Sequence, residues 1–246
     1  MPRIHISDGK VTKQILSKVS FKNEAVALRK LKGPFVAALL ERPNYPYLVL
    51  EHYPDGDLLD KTIAFNKQEY TETLANRLWL GRQTIIAVAF VHNKGFVHGD
   101  VKPENVVIDS KRVRLIDFEF ARPCKAEEGD ETATMGTTEY MSPRQLRQQP
   151  FSPVQADLWG LAVTLFVVLV GFHPYRGLGV HTTIAKTIET CVYDKTVLWT
   201  TFNEVPEDLK RFFDLVLVPE NIPSAAEMLT MFPSILSLSI PGGTNL

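Results

Sequence analysis

The sequence predicts an α+β fold in two parts: a small sheet-and-helix unit over about residues 1–53, then a mainly helical unit over about residues 54–238, with 239–246 as a tail. Three observations carry this prediction. Short β-type runs and turn residues dominate the first fifty positions, a helical period of apolar residues takes over beyond Pro54-Asp-Gly56, and an apolar run at 158–172 supplies one buried central helix. Composition agrees, since 45% hydrophobic and 22% charged residues over 246 positions give enough apolar material for a sizeable core.

Taken in order, Ser7-Asp-Gly-Lys10 is turn chemistry, and residues 11–16 follow as a short strand. Phe21, Ala25, Leu28 and Leu31 recur at helical spacing, and Gly33-Pro34 ends that run. Apolar runs at 35–40 and 47–50 flank Arg42-Pro-Asn-Tyr-Pro46, which reads as a hairpin connection. Leu74, Leu78, Ile85, Ile86, Ala89 and Phe90 then form the expected inner face of a long helix that stops near Asn93-Lys-Gly95. Two β-rich runs, 105–108 and 113–116, are joined by a turn at 109–111, and the remainder is mostly helical apart from a loop at 122–135.

The formal charge of -1 gives no broad attraction for nucleic acid or an anionic membrane, so no nucleic-acid partner is expected. Cys124 and Cys191 form no CxxC pair, which excludes a disulfide framework and points to a reducing, intracellular compartment, cytoplasmic or nuclear. The amino terminus has no apolar signal core, and the run at 158–172 is short for a membrane span.

The chemistry concentrates in His98-Gly-Asp-Val-Lys-Pro-Glu-Asn105, followed twelve residues later by Asp117-Phe-Glu119. Beyond it come Gly136-Thr-Thr-Glu-Tyr-Met-Ser-Pro-Arg144 and Asp157-Leu-Trp159. This ordered set resembles the eukaryotic-type protein kinases, whose catalytic loop HRDxKxxN, metal motif DFG, GTxxYxAPE and DxW appear here as HGDVKPEN, DFE, GTTEYMSPR and DLW. The resemblance implies a bilobal kinase fold that uses ATP and Mg²⁺. Phosphoryl transfer asks a protein mainly to hold two reactants in line and neutralise phosphate charge. Asp100 would accept the substrate hydroxyl proton, Lys102 would steady the transferring phosphate, and Asn105 and Asp117 would offer the oxygen ligands that Mg²⁺ prefers. Lys102 together with Thr137 is the serine/threonine rather than the tyrosine pattern.

Upstream, the resemblance makes Lys13 the counterpart of the lysine that grips the α- and β-phosphates and Glu24 its helix partner, with Lys10 and Lys18 as competing lysines. Leu50 would take the gatekeeper position, Glu51 to Tyr53 the backbone contacts to adenine, Asp57 the ribose and Val107 the floor under the base.

Departures from the pattern bear on activity. No G-x-G-x-x-G occurs, so the hairpin that covers the phosphates is expected to be absent or nearly so, with weaker clamping of ATP. Gly99 replaces the arginine that pairs with a phosphorylated activation loop, and Glu119 replaces a glycine and adds a carboxylate near the metal. Arg144 stands where the family has Glu, and Ile222 where it has the partner Arg, so both members of one ion pair have gone and Arg144 needs a new acidic neighbour or solvent.

Other conspicuous residues read as structural. His98 is expected to hydrogen-bond within its loop, His92 and His173 show no partner pattern, and Trp159, Phe166 and Phe172 are assigned to the core. Asp157 is expected to bind the catalytic-loop backbone from the start of its helix, and the acidic stretch 127–131 to be a solvated loop. The leading functional reading is a serine/threonine protein kinase acting on a protein substrate. The second is a pseudokinase or kinase-mimicking regulator that binds a partner kinase. A small-molecule kinase is third, because residues 136–144 resemble the segment that seats a peptide.

Overall fold

The structure, a computed structural model, describes residues 3–66, 74–109, 112–124, 135–175, 188, 198–200, 204–219 and 221–233. Its first part is a three-stranded antiparallel sheet in the order β1 (Arg3–Ser7), β2 (Lys10–Gln14), β3 (Tyr47–Glu51). Asp8 and Gly9, with φ of 50° and 72°, form the two-residue turn between β1 and β2. Positive φ at both positions matches the right-handed twist of a hairpin, which is why Asp-Gly suits it. The strand expected at 11–16 is β2, and Arg3–Ser7 adds a strand in front of it that the pattern had not shown; all five of its residues are exposed.

Helix α1 (Lys18–Lys30) is capped by Ser17, whose hydroxyl accepts from the Ser20 amide, and it buries Glu24, Ala25, Ala27 and Leu28. The run at 35–40 forms no extended strand. It pairs at single positions, with Val36 opposite Leu115 and Leu39 opposite Leu50, and so stitches the first sheet to the second part of the chain.

In the second part, α2 (Leu58–Asn66) and α3 (Leu74–Asn93) precede the short strand β4 (Phe96–Val97), which pairs with β7 (Arg122–Pro123). Strands β5 (Val106–Asp109) and β6 (Arg112–Leu115) form the expected antiparallel pair. Most of the loop expected at 122–135 lies outside the described residues, as does the acidic stretch 127–131. Helix α3 packs on α5 (Pro153–Val170), on α7 (Ala225–Met231) and on β6. Its inner face is rotated from the expected one: Leu80, Gly81, Thr84, Ala87, Val88 and Val91 are buried beside Leu78 and Ile85, whereas Ile86, Ala89 and Phe90 are only partly covered. Neighbours on several sides blur a single stripe, so the period alone could not place it.

Helix α5 is the axle of this part. It is long and apolar enough to cross a membrane, yet 78% of its span is buried inside the fold. Ser152 caps its start, Pro153 occupies the first turn and Gly171 ends it in the left-handed region at φ 94°. Trp159 and Phe166 are fully buried, but Phe172, one residue past that glycine cap, is 43% exposed and is not core. The short helix α4 (Pro143–Leu146) and helix α6 (Glu207–Val216) complete the set.

Candidate active site

The loop between β4 and β5 carries His98, Asp100, Lys102 and Asn105, and internal hydrogen bonds set its shape. The His98 ring accepts the Asp100 amide at Nδ1 (3.2 Å) and donates from Nε2 to the Ile116 carbonyl (2.9 Å), the neutral tautomer that both partners require. From below, Asp157 takes the His98 amide on Oδ2 (2.7 Å) and the Gly99 amide on Oδ1 (2.8 Å). Burial alone would push the Asp157 carboxyl up, but the His92 ring at 3.0 Å and the two loop amides overcome it and hold the group below the usual carboxylate value. Asp157 sits in the second turn of α5 and not at its start, where Ser152 is the cap, and His92 has a definite partner. Both points correct the sequence reading.

Above this support, the Asp100 carboxylate is held from three directions. The Thr137 amide donates to Oδ1 at 2.7 Å, Lys102 Nζ lies 2.8 Å from Oδ2, and Asn105 Nδ2 donates to Oδ2 at 3.1 Å. Lys102 Nζ also donates to the Thr137 hydroxyl at 2.6 Å, so these four residues form one closed network. Two glycines let the backbones meet there. A Cβ on Gly136 would lie 2.7 Å from the Gly99 carbonyl oxygen, and one on Gly99, at φ 83°, would lie 2.8 Å from the Phe120 carbonyl oxygen.

Asp117 joins from the far side of the β5–β6 pair, where the Ile116 amide donates to the Asn105 carbonyl at 3.0 Å. Its Oδ1 accepts from Lys13 Nζ at 2.7 Å, and the same Nζ donates to Glu24 Oε2 at 2.7 Å. Of the three candidate lysines, Lys13 therefore meets Glu24, while Lys10 pairs with Glu41 at the surface and Lys18 lies over the Tyr45 ring. Lys13 and Glu24 are both buried. Burial alone would pull Lys13 down, but the two carboxylates outweigh it and lift the amine above its ordinary value. For Glu24 burial wins, Lys13 opposing, and the carboxyl is pushed up to about 7. The cation shared by two acids thus stays charged, and Glu24 takes a proton in mild acid.

Next to Glu24 on α1, Asn23 Nδ2 donates to the Glu119 carbonyl at 3.1 Å. Sequence reasoning missed Asn23 because consecutive helix residues face different ways and no spacing rule selects it. The Glu119 side chain stands in the same field as Asp117, Lys13, Asp100 and Lys102; burial, then Asp117, raises its pKa.

Asn105 and Asp117 fit a hard divalent ion of the kind that keeps most of its water. Asn105 Nδ2 is spent on Asp100, and Asp117 gives Lys13 one oxygen, so each retains an oxygen for a metal. Among the described residues no group of three or more His, Cys, Asp or Glu side chains could hold a metal alone. Two protein oxygens completed by phosphates and water is the coordination Mg²⁺ commonly accepts.

The residues expected around the base take mixed positions. Leu50 is buried on β3, opposite Val11, and Val107 is buried on β5. Tyr53 turns its side chain inward: its hydroxyl donates to Glu51 Oε2 at 2.9 Å and accepts the Ala38 amide at 3.1 Å, with Arg114 over the ring. The Glu51 amide is spent on the Ala38 carbonyl, so the side chains and amides of this segment are largely committed to the fold. Asp57 lies opposite Val107 and caps α2 by accepting the Asp60 amide at 2.8 Å.

A groove of about 590 Å³ opens beside Thr137, between α2 and the end of α5, lined among others by Ile63, Glu104, Glu139, Phe172 and His173. Glu104 Oε2 is buried there with no hydrogen-bond partner among the described residues, and burial raises the pKa of its carboxyl.

With this geometry established, comparison with known proteins decides the family. The protein kinase domain matches residues 6–231 of the chain. The chain belongs to the protein kinase family. Maternal embryonic leucine zipper kinase of Xenopus tropicalis is 32% identical over 184 residues, which cover 70% of this chain and 28% of that protein. Calcium/calmodulin-dependent protein kinase type 1 of Caenorhabditis briggsae is 34% identical over 164 residues, 63% of this chain and 44% of the relative. CBL-interacting protein kinase 4 of rice, Oryza sativa subsp. japonica, is 33% identical over 158 residues, 62% of this chain and 34% of the relative. This kinase chain thus corresponds to less than half the length of each. Membership explains the α+β architecture and the order of the motifs, and ATP with a divalent metal ion is what the family uses.

Proposed function

We propose that the chain is a serine/threonine protein kinase that moves the γ-phosphoryl group of ATP to protein hydroxyls, with Mg²⁺ as the ion. The observation that carries the reading is the position of Lys13, 2.7 Å from both Glu24 and Asp117, which ties the phosphate-gripping lysine to the metal-binding aspartate across the two parts of the fold. A scaffold without chemistry has no need of a buried cation shared by two acids, since such an arrangement adds little net stability.

In this reading Lys13 meets the α- and β-phosphates, Leu50 and Val107 pack on the base, those groups of the 51–53 backbone not already bonded within the fold contact adenine, and Asp57 reaches the ribose. Asn105 and Asp117 hold the ion, which when bound supplies neutralising charge to the phosphates. A serine or threonine hydroxyl in the groove at Thr137 approaches the γ-phosphorus in line. As its oxygen forms the new P–O bond and the bond to the β-phosphate oxygen breaks, Asp100 takes the hydroxyl proton and Lys102 stabilises the transferring group. ADP leaves with the bridging oxygen. The pairing of Lys102 with Thr137 at 2.6 Å supports serine/threonine substrates, and two of the relatives are named as protein kinases.

The kinase-mimic alternative draws support from Glu119, which stands where the motif has glycine. Thermal shift with ATP and Mg²⁺, and phosphate transfer to a generic basic protein, separate the two. The kinase reading expects nucleotide-dependent stabilisation and a transfer rate that falls about 10²- to 10⁴-fold in Asp100→Asn, as loss of a general base does. Absence of nucleotide binding would leave the mimic.

A further inference from the structure

Beside α4, Arg144 and Ile222 line one cavity of about 220 Å³, together with Pro150, Ser152, Gln155 and Asn221. These are the two positions at which the chain departs as a pair from the kinase motif, with a base where an acid is usual and an alkyl group where its partner arginine would be. Among the described residues that line the recess, Arg144 carries the one formal charge.

The arginine is oriented without being neutralised. Its Nε donates to the Pro150 carbonyl at 2.8 Å, which fixes the plane of the guanidinium, while Nη1 and Nη2 have neither a hydrogen bond nor an ion pair among the described residues. The walls are equally settled. Ser142 and Gln145 form a reciprocal cap at the start of α4, which carries Arg144. Across the recess Gln155 Nε2 donates to the Ile222 carbonyl at 3.3 Å, and the Ile222 side chain is buried. Arg144 is itself exposed, so its planar fork of donors stands at the mouth of the recess, where its geometry matches the two oxygens of a carboxylate or phosphate.

We propose that this recess is an oxyanion site, in which the free edge of the Arg144 guanidinium takes a carboxylate or phosphate group bidentately and Asn221 and Ser152 lie at its rim. The site is independent of the phosphotransfer reading and remains if that reading fails. The oxyanion comes either from small anions in solution or from an acidic side chain of a polypeptide that docks on this face.

The experiment follows the Arg144 Nε–Hε cross-peak in ¹⁵N-labelled protein, assigned by its loss in Arg144→Lys, during titration with inorganic phosphate and, separately, with an acetylated and amidated tetra-glutamate peptide. Sodium chloride at matched ionic strength is the control. Saturable movement of the peak with phosphate marks the small-anion source, and movement with the peptide alone marks the acidic side chain. Following the peak keeps phosphate bound at Lys13 or Lys102 from being mistaken for the site. Ile222→Glu, which places a carboxylate inside the recess, is expected to weaken the winning probe at least ten-fold. Should that variant fail to fold, Arg144→Met decides through its backbone amide shifts at Asn221 and Ser152, again with at least a ten-fold loss. Failure of both probes to move the peak beyond the chloride control overturns the proposal, and so do equal affinities in wild type and Arg144→Met.

Discussion

Removing Lys13 should cost more than removing its partner, and removing both should cost less than removing the lysine alone. At 2.7 Å the attraction between Lys13 and Glu24 is about 6 kcal/mol for an effective dielectric near 20, and desolvation of two buried ions offsets most of it. The side chains are 6% and 1% exposed, so whichever ion is left alone has almost no water to turn to. Lys13→Met strands Glu24, since Asp117 at 29% exposure regains solvent, and a loss of about 3 kcal/mol is expected at pH 8. Glu24→Leu leaves Lys13 paired with Asp117 and should cost only about 1 kcal/mol. The double variant Lys13→Met/Glu24→Leu removes the stranded charge and should be about 2 kcal/mol more stable than Lys13→Met. Urea denaturation followed by far-ultraviolet circular dichroism measures all four proteins. The sign of the pH effect is a second check. Glu24 has a native pKa raised to about 7, so its protonated form favours folding at low pH and that stability is lost as pH rises from the carboxylate range through 7. The Lys13→Met deficit should therefore shrink at pH 5. Simple additivity of the two single changes, or a deficit that grows in acid, would refute the shared-ion account.

Four further outcomes follow. Gly99→Ala, at φ 83° and with its Cβ 2.8 Å from the Phe120 carbonyl oxygen, should lose about 1–3 kcal/mol by urea denaturation; unchanged stability would show that the loop has room. His173, held by burial at about 4 against 6.5 in the unfolded chain, favours folding while neutral, so stability should drop by up to about 3 kcal/mol as pH falls from 6.5 to 4. His173→Asn should flatten that slope in acid titrations followed by circular dichroism. Glu104→Ala should raise KM about ten-fold for a peptide carrying a basic residue near the phosphoacceptor while leaving kcat within two-fold, because the half-buried carboxylate, whose Oε2 has no hydrogen-bond partner among the described residues, lines the groove and favours a cation. Asp157→Ala leaves the His98 and Gly99 amides buried without an acceptor and should cost about 2–4 kcal/mol in the same urea assay.

Much of the fold was legible because its signals are local. The Asp-Gly turn, the helix ends at Gly33-Pro34 and Gly95 and the paired β5–β6 runs depend on residues within a few positions of one another. What escaped depends on distant partners. The inner face of α3 is set by α5, α7 and β6 together, so Phe90 and Ile86 lost the places that period alone assigned them. Arg3–Ser7 is exposed along its length and carries no burial pattern to read. At the site, motif spacing pointed to the residues that form the Asp100–Lys102–Asn105 cluster, whereas the His92–Asp157 contact joins positions 65 apart that no motif links. Phe172 was grouped with the core because it closes an apolar run, but Gly171 turns the chain outward one residue earlier.

Helix α1 is fastened at two successive positions, by Asn23 to the Glu119 carbonyl and by Glu24 to the Lys13 ammonium that also clasps Asp117. The helix and the segment bearing Asp117 therefore behave as a latched pair. A slight outward swing stretches each fastening at once and gains nothing in return, so partial displacement is penalised while full release exchanges every contact for water together. The latch is thus either shut or open, and shut is the arrangement in which the ammonium stands beside the Asp117 carboxylate.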